Sequence, residues 1–152
     1  ALAEMRALLL ELRPNALLET SLPELIRQLA EAAAGRTSMQ LELDLDPSCT
    51  VPPEVHLGIY RIAQEALNNI IKHARATLVR VTLRRAGQGV ELLVSDNGRG
   101  FDPAAIRPGH LGLEIIRERA EALNMPVSIS TLPGKGTELA LRYHAEPTGG
   151  GA

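Results

Sequence analysis

The chain has 152 residues, enough for one globular domain with a sizeable core, and its 45% hydrophobic and 22% charged content excludes a disordered or collagen-like chain. Only 2% is aromatic, with Tyr60, Phe101 and Tyr143 the whole inventory, which implies an aliphatic core and no row of stacking platforms for single-stranded nucleic acid. Sixteen Lys and Arg against eighteen Asp and Glu give a net charge of −2, which excludes the overall basic footprint of a duplex-binding domain but leaves room for a local basic pocket.

Cys49 is the only cysteine, so a disulfide framework and a cysteine-based zinc cluster are both excluded, and the chain reads as intracellular with a buried or partly buried thiol. The apolar run Leu8 to Leu10 is far too short to span a bilayer, and no signal peptide is visible. The sequence starts inside a helical pattern without an initiator methionine and ends in Gly149, Gly150 and Gly151, which reads as a piece of a longer protein.

In chain order, Leu2, Met5, Leu9 and Leu12 recur at three and four residue spacings, which predicts a short amphipathic helix over 2–13 that Pro14 stops. Ser21 and Glu24 have the spacing of a capping box, and Leu25, Ile26, Leu29, Ala30 and Ala33 continue with helical period to Gly35. Residues 39–45 alternate strictly, Met39, Leu41, Leu43 and Leu45 against Gln40, Glu42 and Asp44, which predicts a strand with one wet face. From Glu54 to Lys72 the apolar residues Leu57, Ile59, Tyr60, Ala63, Leu67, Ile70 and Ile71 return to helical period and predict the longest helix.

Val79, Val81 and Leu83, then Val90, Leu92 and Val94, alternate on either side of Ala86, Gly87, Gln88 and Gly89, the pattern of an antiparallel hairpin that leaves Asp96 at a strand end. Asn97 to Gly112 reads as a long glycine-rich loop, the kind usually tied to function. A helix carrying Leu113, Ile116, Ala120 and Leu123 follows, then two short strands, Val127 to Thr131 and Leu139 to Tyr143, around a turn at Pro133 to Gly136. This order fits helices on one face of a mixed, mainly antiparallel sheet whose other face is wet or meets another domain.

Four blocks carry candidate chemistry. Glu65 and Asn69, four apart on the long helix, with Lys72 and His73 one turn on, form a strip able to place a carboxylate and an amide oxygen beside a divalent cation and two cations beside phosphate oxygens. A solvated helix face is the competing reading of that strip. Asp96 offers a carboxylate able to accept from an exocyclic amine, and Gly98 and Gly100 would let backbone pass close to a flat base; an ordinary turn explains Asn97 and Gly98 equally well. Gly109, His110, Leu111 and Gly112 lead into a helix N-terminus, a suitable anion cradle. Gly134, Lys135, Gly136 and Thr137 are a hairpin turn, or else place Thr137 near a base. None of these has the strand, loop and helix arrangement of a P-loop.

Together and in this order, the blocks resemble the catalytic ATP-binding domain of two-component sensor histidine kinases. Tyr60 to Ala74 is similar to the N box of the subfamily related to nitrate and cell-envelope sensors, Asp96 to Gly100 to the G1 box, Gly109 to Gly112 to the G2 box, and Gly134 to Thr137 to the G3 box. The resemblance spans residues 20 to 143, and Arg6 to Pro14 is similar to the linker that follows the dimerisation helices of that subfamily. It implies an α+β fold, a two-layer α/β sandwich of the Bergerat type with three helices on the sheet. The implied division is a linker helix at 1–19, the ATP-binding domain at 20–145 and a flexible tail at 146–152.

The resemblance also implies ATP and Mg2+ as ligands. Asn69 would coordinate the Mg2+ carried by ATP, Glu65 would position or polarise the acceptor, and Lys72 and His73 would assist at the phosphates. Asp96 would bind adenine N6, with Gly98, Gly100, Gly109, His110, Leu111, Gly112, Gly136 and Thr137 around the nucleotide. The implied partners are the dimerisation and phosphoacceptor helices of a homodimeric, cytoplasmic or membrane-anchored parent kinase and a response regulator downstream; nucleic acid and direct membrane contact are not expected, and the chain alone is expected to be monomeric. None of His56, His73, His110 and His144 is a persuasive phosphoacceptor, so the acceptor histidine is expected on another segment.

Leu123, Asn124, Met125 and Pro126 stand where the subfamily commonly has a glycine pair, a departure that affects a turn rather than the nucleotide site. Two alternatives use the same fold: a serine protein kinase of the anti-sigma-factor type, and a non-catalytic ATP-sensing interaction module.

Overall fold

A computed structural model describes residues 14–102 and 112–145. The helix read over 2–13, the tail at 146–152 and the loop residues Gly109, His110 and Leu111 lie outside the described residues.

Helix α1 is Pro14–Glu19. Helix α2 (Leu22–Gly35) starts as its sequence predicts, with Ser21 Oγ accepting from the Glu24 amide at 3.3 Å. Strand β1 is Gln40–Leu45, its leucines turned inward and its polar residues outward.

Helix α3 (Pro53–Asn69) runs on into a π-helical turn, Ile70–Ala74, that the plain helical period did not reveal. Arg75, in the left-handed region at φ 51°, ends it. Strands β2 (Leu78–Ala86) and β3 (Gly89–Asp96) form the expected hairpin, closed by a two-residue turn with Gly87 at φ 57°. Helix α4 (Leu113–Ala122), β4 (Val127–Thr131) and β5 (Thr137–Tyr143) complete the described elements.

The sheet order is β1-β2-β3-β5-β4, with β1 and β2 parallel and every other neighbour antiparallel. The parallel pair needs a crossover, and α3 with its π turn supplies it. On the inner face Val79, Val81, Val90, Leu92, Val94, Leu139 and Leu141 meet Leu25, Ile26, Ile59, Ile62, Ala63 and Ile116 of the helices in one aliphatic core. Leu17 of α1 is fully buried in that core, and the buried His56 of α3 lies with its Nε2 2.9 Å from the Leu17 carbonyl. Cys49 is buried, and desolvation pushes its thiol up, with Asp46 adding to the effect.

The outer sheet face is wet. It carries cross-strand ion pairs, Glu42 with Arg80 at 2.6 Å, Asp44 with Arg84 at 3.9 Å and Glu91 with Arg142 at 2.6 Å. The result is the two-layer α+β sandwich that the element order implied.

Candidate nucleotide site

A cavity of about 360 Å³ lies between the end of α3, the π turn, the start of α4 and the ends of β3 and β5. That volume is at the lower end of the ~300–1,000 Å³ usual for small-ligand pockets. Val94, Ile116, Ile129 and Leu139 give it an apolar floor, and Ile70 and Ala66 an apolar wall. Its polar groups are few: Asn69 and His73 on the helical side, Asp96, Arg99, Asp102 and Thr137 on the sheet side.

Asp96 closes β3 opposite Thr137 of β5. One of its carboxylate oxygens accepts from the Gly98 amide at 2.8 Å, and the Thr137 amide also donates to the carboxylate. Burial pushes the Asp96 carboxyl above its ordinary value, outweighing the lowering effect of those two hydrogen bonds.

Three glycines around Asp96 are required by the chain's own backbone. A Cβ on Gly98 would lie 2.1 Å from the Ala74 carbonyl oxygen, one on Gly100 2.1 Å from that of Leu132, and one on Gly136 2.1 Å from that of Asp96. Gly100 and Gly136 also have positive φ, 60° and 78°. On the side where a Cβ would stand, their room is taken by backbone of the π turn, of the residue after β4 and of the end of β3. Gly100 nevertheless lines the cavity.

The strip Glu65, Asn69, Lys72 and His73 divides. Asn69 and His73 line the cavity, whereas Lys72 is exposed and outside the lining. A π turn advances each side chain through a smaller angle than the ~100° of an α-helix, so it keeps His73 in line with Asn69 and swings Lys72 outward. Glu65 faces the start of α4. A Cβ on Gly112 would come within 2.6 Å of Glu65 Oε2 and 3.9 Å of Asn69 Oδ1, and Gly112 has φ 63°. Gly112, the N-cap of α4, offers no side-chain cap to the helix.

Several residues that build the site carried no signal of that role. Asn97 Oδ1 accepts from the Thr77 and Leu78 amides, both at 2.9 Å, which ties the exit of the π turn to the end of β3. Arg99 donates from its amide to the Ala74 carbonyl at 2.7 Å and from Nε to the His73 carbonyl at 2.5 Å, so it caps the π turn. Thr131, at the end of β4, joins Phe101, Gly136 and Thr137 through one hydroxyl. Apart from the Thr131 contacts to Gly136 and Thr137, these link positions 19 to 30 residues apart, beyond the reach of any local pattern.

A hard cation fits the donor set at Asn69 only in company. Among the described residues no three His, Cys, Asp or Glu side chains converge to hold a metal ion alone. One amide oxygen beside a carboxylate suits a cation whose other ligands are phosphate oxygens and water.

The family model described as "Histidine kinase-, DNA gyrase B-, and HSP90-like ATPase" matches residues 54–147. The sensor histidine kinase LiaS of Bacillus subtilis is 34% identical over 145 residues, covering 95% of this chain and 40% of LiaS. Among solved structures, the Erythrobacter litoralis EL346 blue-light activated histidine kinase superposes with TM-score 0.65 at 26% identity, over 76% of this chain and 39% of that one. The ATP binding domain of PrrB from Mycobacterium tuberculosis superposes with TM-score 0.64 at 26% identity, over 84% of this chain and 96% of that domain. The cavity built by Asn69, Asp96 and Thr137 lies within the matched segment. The chain therefore belongs to the histidine kinase, DNA gyrase B and HSP90-like ATPase family, as the ATP-binding domain of a sensor histidine kinase.

Proposed function

We propose that this domain binds Mg-ATP in the cavity between α3 and β3 and transfers the γ-phosphoryl group to a histidine nitrogen on a separate dimerisation and phosphoacceptor domain, for relay to a response regulator. The observation that carries the reading is one apolar-floored cavity with a half-buried carboxylate, Asp96, at the sheet side and Asn69 with His73 at the helical side. An apolar slot with few polar groups suits a purine, and the polar helix end suits a triphosphate.

In this reading Asp96 accepts a hydrogen bond from the adenine amino group, and the floor of Val94, Ile116, Ile129 and Leu139 excludes water from the ring. Asn69 Oδ1 would hold a Mg2+ ion, which supplies charge neutralisation on the phosphate oxygens when bound. His73 lies within the same wall to meet phosphate or base, while the exposed Lys72 supplies positive charge at the rim. Glu65, beside Gly112, orients the incoming imidazole. The imidazole lone pair attacks the γ-phosphorus, the bond to the β-γ bridging oxygen breaks, and ADP leaves. Little is asked of the protein beyond alignment and electrostatics. Gly112 and the uncapped start of α4 would face the phosphates.

The test is phosphorylation of a histidine kinase dimerisation domain supplied in trans with radiolabelled ATP. Acid-labile, alkali-stable label that disappears with Asn69→Ala is the expected result. Acid-stable label would favour a serine kinase, and absence of label with intact nucleotide binding would favour a sensing module.

A further inference from the structure

Thr131 sits at the end of β4, outside the cavity lining, yet its one hydroxyl has four polar neighbours. The Phe101 amide donates to it at 3.0 Å, the Gly136 and Phe101 carbonyl oxygens lie at 3.3 and 3.4 Å, and the Thr137 hydroxyl lies at 3.0 Å. A hydroxyl has one proton to give and two lone pairs to offer. Carbonyl oxygens only accept, so within this cluster only the Thr131 proton can serve them. If that proton points at the carbonyls, the lone pairs receive the Phe101 amide and the Thr137 hydroxyl, and all four neighbours are used. If it points at Thr137 instead, both carbonyls lose it.

We infer that Thr131 is a positioning residue for base selection: by holding the Thr137 hydroxyl proton, it leaves the Thr137 oxygen facing the cavity as an acceptor only. Thr137 lines the cavity beside Asp96, its neighbour across the β3–β5 pair. With Thr131 in place, the sheet-side wall thus presents two acceptors, the Asp96 carboxylate and Thr137 Oγ1. At the 6-position adenine turns an amino donor toward such a wall, whereas guanine turns its O6 acceptor. An acceptor facing acceptors is left unpaired, which is how a buried polar site rejects a near-isostere.

Removing the Thr131 hydroxyl frees the Thr137 proton to turn toward the cavity, where it can donate to O6. This rests on the adenine reading of the cavity above. The residue lies at a strand end and is half-buried, and valine keeps its shape and its strand preference.

The experiment is calorimetric titration of the whole chain and its variants with non-hydrolysable ATP and GTP analogues in Mg2+. Thr131→Val is expected to narrow the ATP to GTP affinity ratio by about tenfold, mainly by improving GTP. Thr131→Ser, which keeps the hydroxyl, is expected to keep the ratio. In a Thr137→Val background, Thr131→Val should leave the ratio where Thr137→Val alone puts it, because the effect passes through Thr137.

A merely structural Thr131 would weaken both nucleotides alike and leave the ratio unchanged, which overturns the inference while leaving the adenine reading intact. A wild-type chain that binds neither analogue overturns both. Should Thr131→Val fail to fold, Thr131→Ala carries the same expectation, and an unchanged ratio in it has the same meaning.

Discussion

The Asp96 side of the cavity and its Asn69 side are held by different means. Around Asp96, backbone meets backbone: Gly98, Gly100 and Gly136 each sit where a Cβ would lie 2.1 Å from a carbonyl oxygen, and Thr131 joins the loop after β3 to the β4–β5 hairpin. On the other side, Asn69 and His73 project from a helix end and its π turn, whose carbonyls at His73 and Ala74 accept from Arg99. A flat, uncharged base is read by shape and by a few fixed hydrogen-bonding groups, which suits the rigid side. A flexible triphosphate with its cation is read by charge, which tolerates side chains on a helix terminus. Substitutions should therefore separate into those that damage the fold and those that damage ligand binding alone.

The largest effect is expected where rigidity is greatest. Gly136→Ala places a methyl against the Asp96 carbonyl at φ 78° and should destabilise the fold by about 3 kcal/mol, read by chemical denaturation. Gly134 has the same φ of 78° but nothing within 4 Å of its would-be Cβ, so Gly134→Ala should lose only about 1 kcal/mol. Equal losses at the two positions would mean that close packing around Asp96 matters less than backbone conformation.

Asn69→Ala comes next and should spare the fold, because Asn69 is only half-buried and lies outside the aliphatic core. The affinity for an ATP analogue in Mg2+ should fall at least about tenfold while the melting temperature stays put. A variant that still binds as the wild type does in Mg2+ would contradict the placing of the cation at this side.

Asp96→Asn sharpens the contrast, since it should lower ATP affinity about tenfold without destabilising the protein. Burial raises the Asp96 carboxyl above its ordinary value, so the folded chain takes up a proton more readily than the unfolded one. Stability from this group is therefore full at acid pH and is lost as pH rises through the raised value. ATP affinity should move in the opposite sense, weakening as pH falls through that same value and the acceptor is protonated. Asp96→Asn should flatten both profiles, and a melting temperature well below the wild type at neutral pH would count against this account of Asp96.

The smallest effect belongs to the outer sheet face, which serves neither side of the cavity. Glu42→Ala removes an exposed ion pair with Arg80 and should change stability by less than about 0.5 kcal/mol, with nucleotide binding unaltered.

Much of this architecture was legible in local pattern. Strict alternation over Leu41 to Leu45 and Val90 to Val94 specifies which strand face meets the helices, and Ser21 with Glu24 marks the start of α2 to the residue. Asp96 at a strand end was legible for the same reason, since the period of two stops there. The π turn was not, because Ile70, Ile71 and Ala74 satisfy an α-helical period equally well and the turn's carbonyls are capped by Arg99 from a distant loop. Glycines announce that space is needed but not what fills it, so Gly98 and Gly136 pointed to the site for a reason that only the neighbouring strands reveal. Thr131 and Thr137 are six residues apart on a hairpin, an ordinary pairing until Phe101 arrives from another part of the chain.

The most direct test of the central claim is calorimetric titration of the chain with a non-hydrolysable ATP analogue, with and without Mg2+, and with the GTP analogue as comparison. The account predicts saturable binding that is tighter in Mg2+ and selective for adenine. A folded chain that binds neither analogue, or binds both equally and without regard to Mg2+, would contradict it.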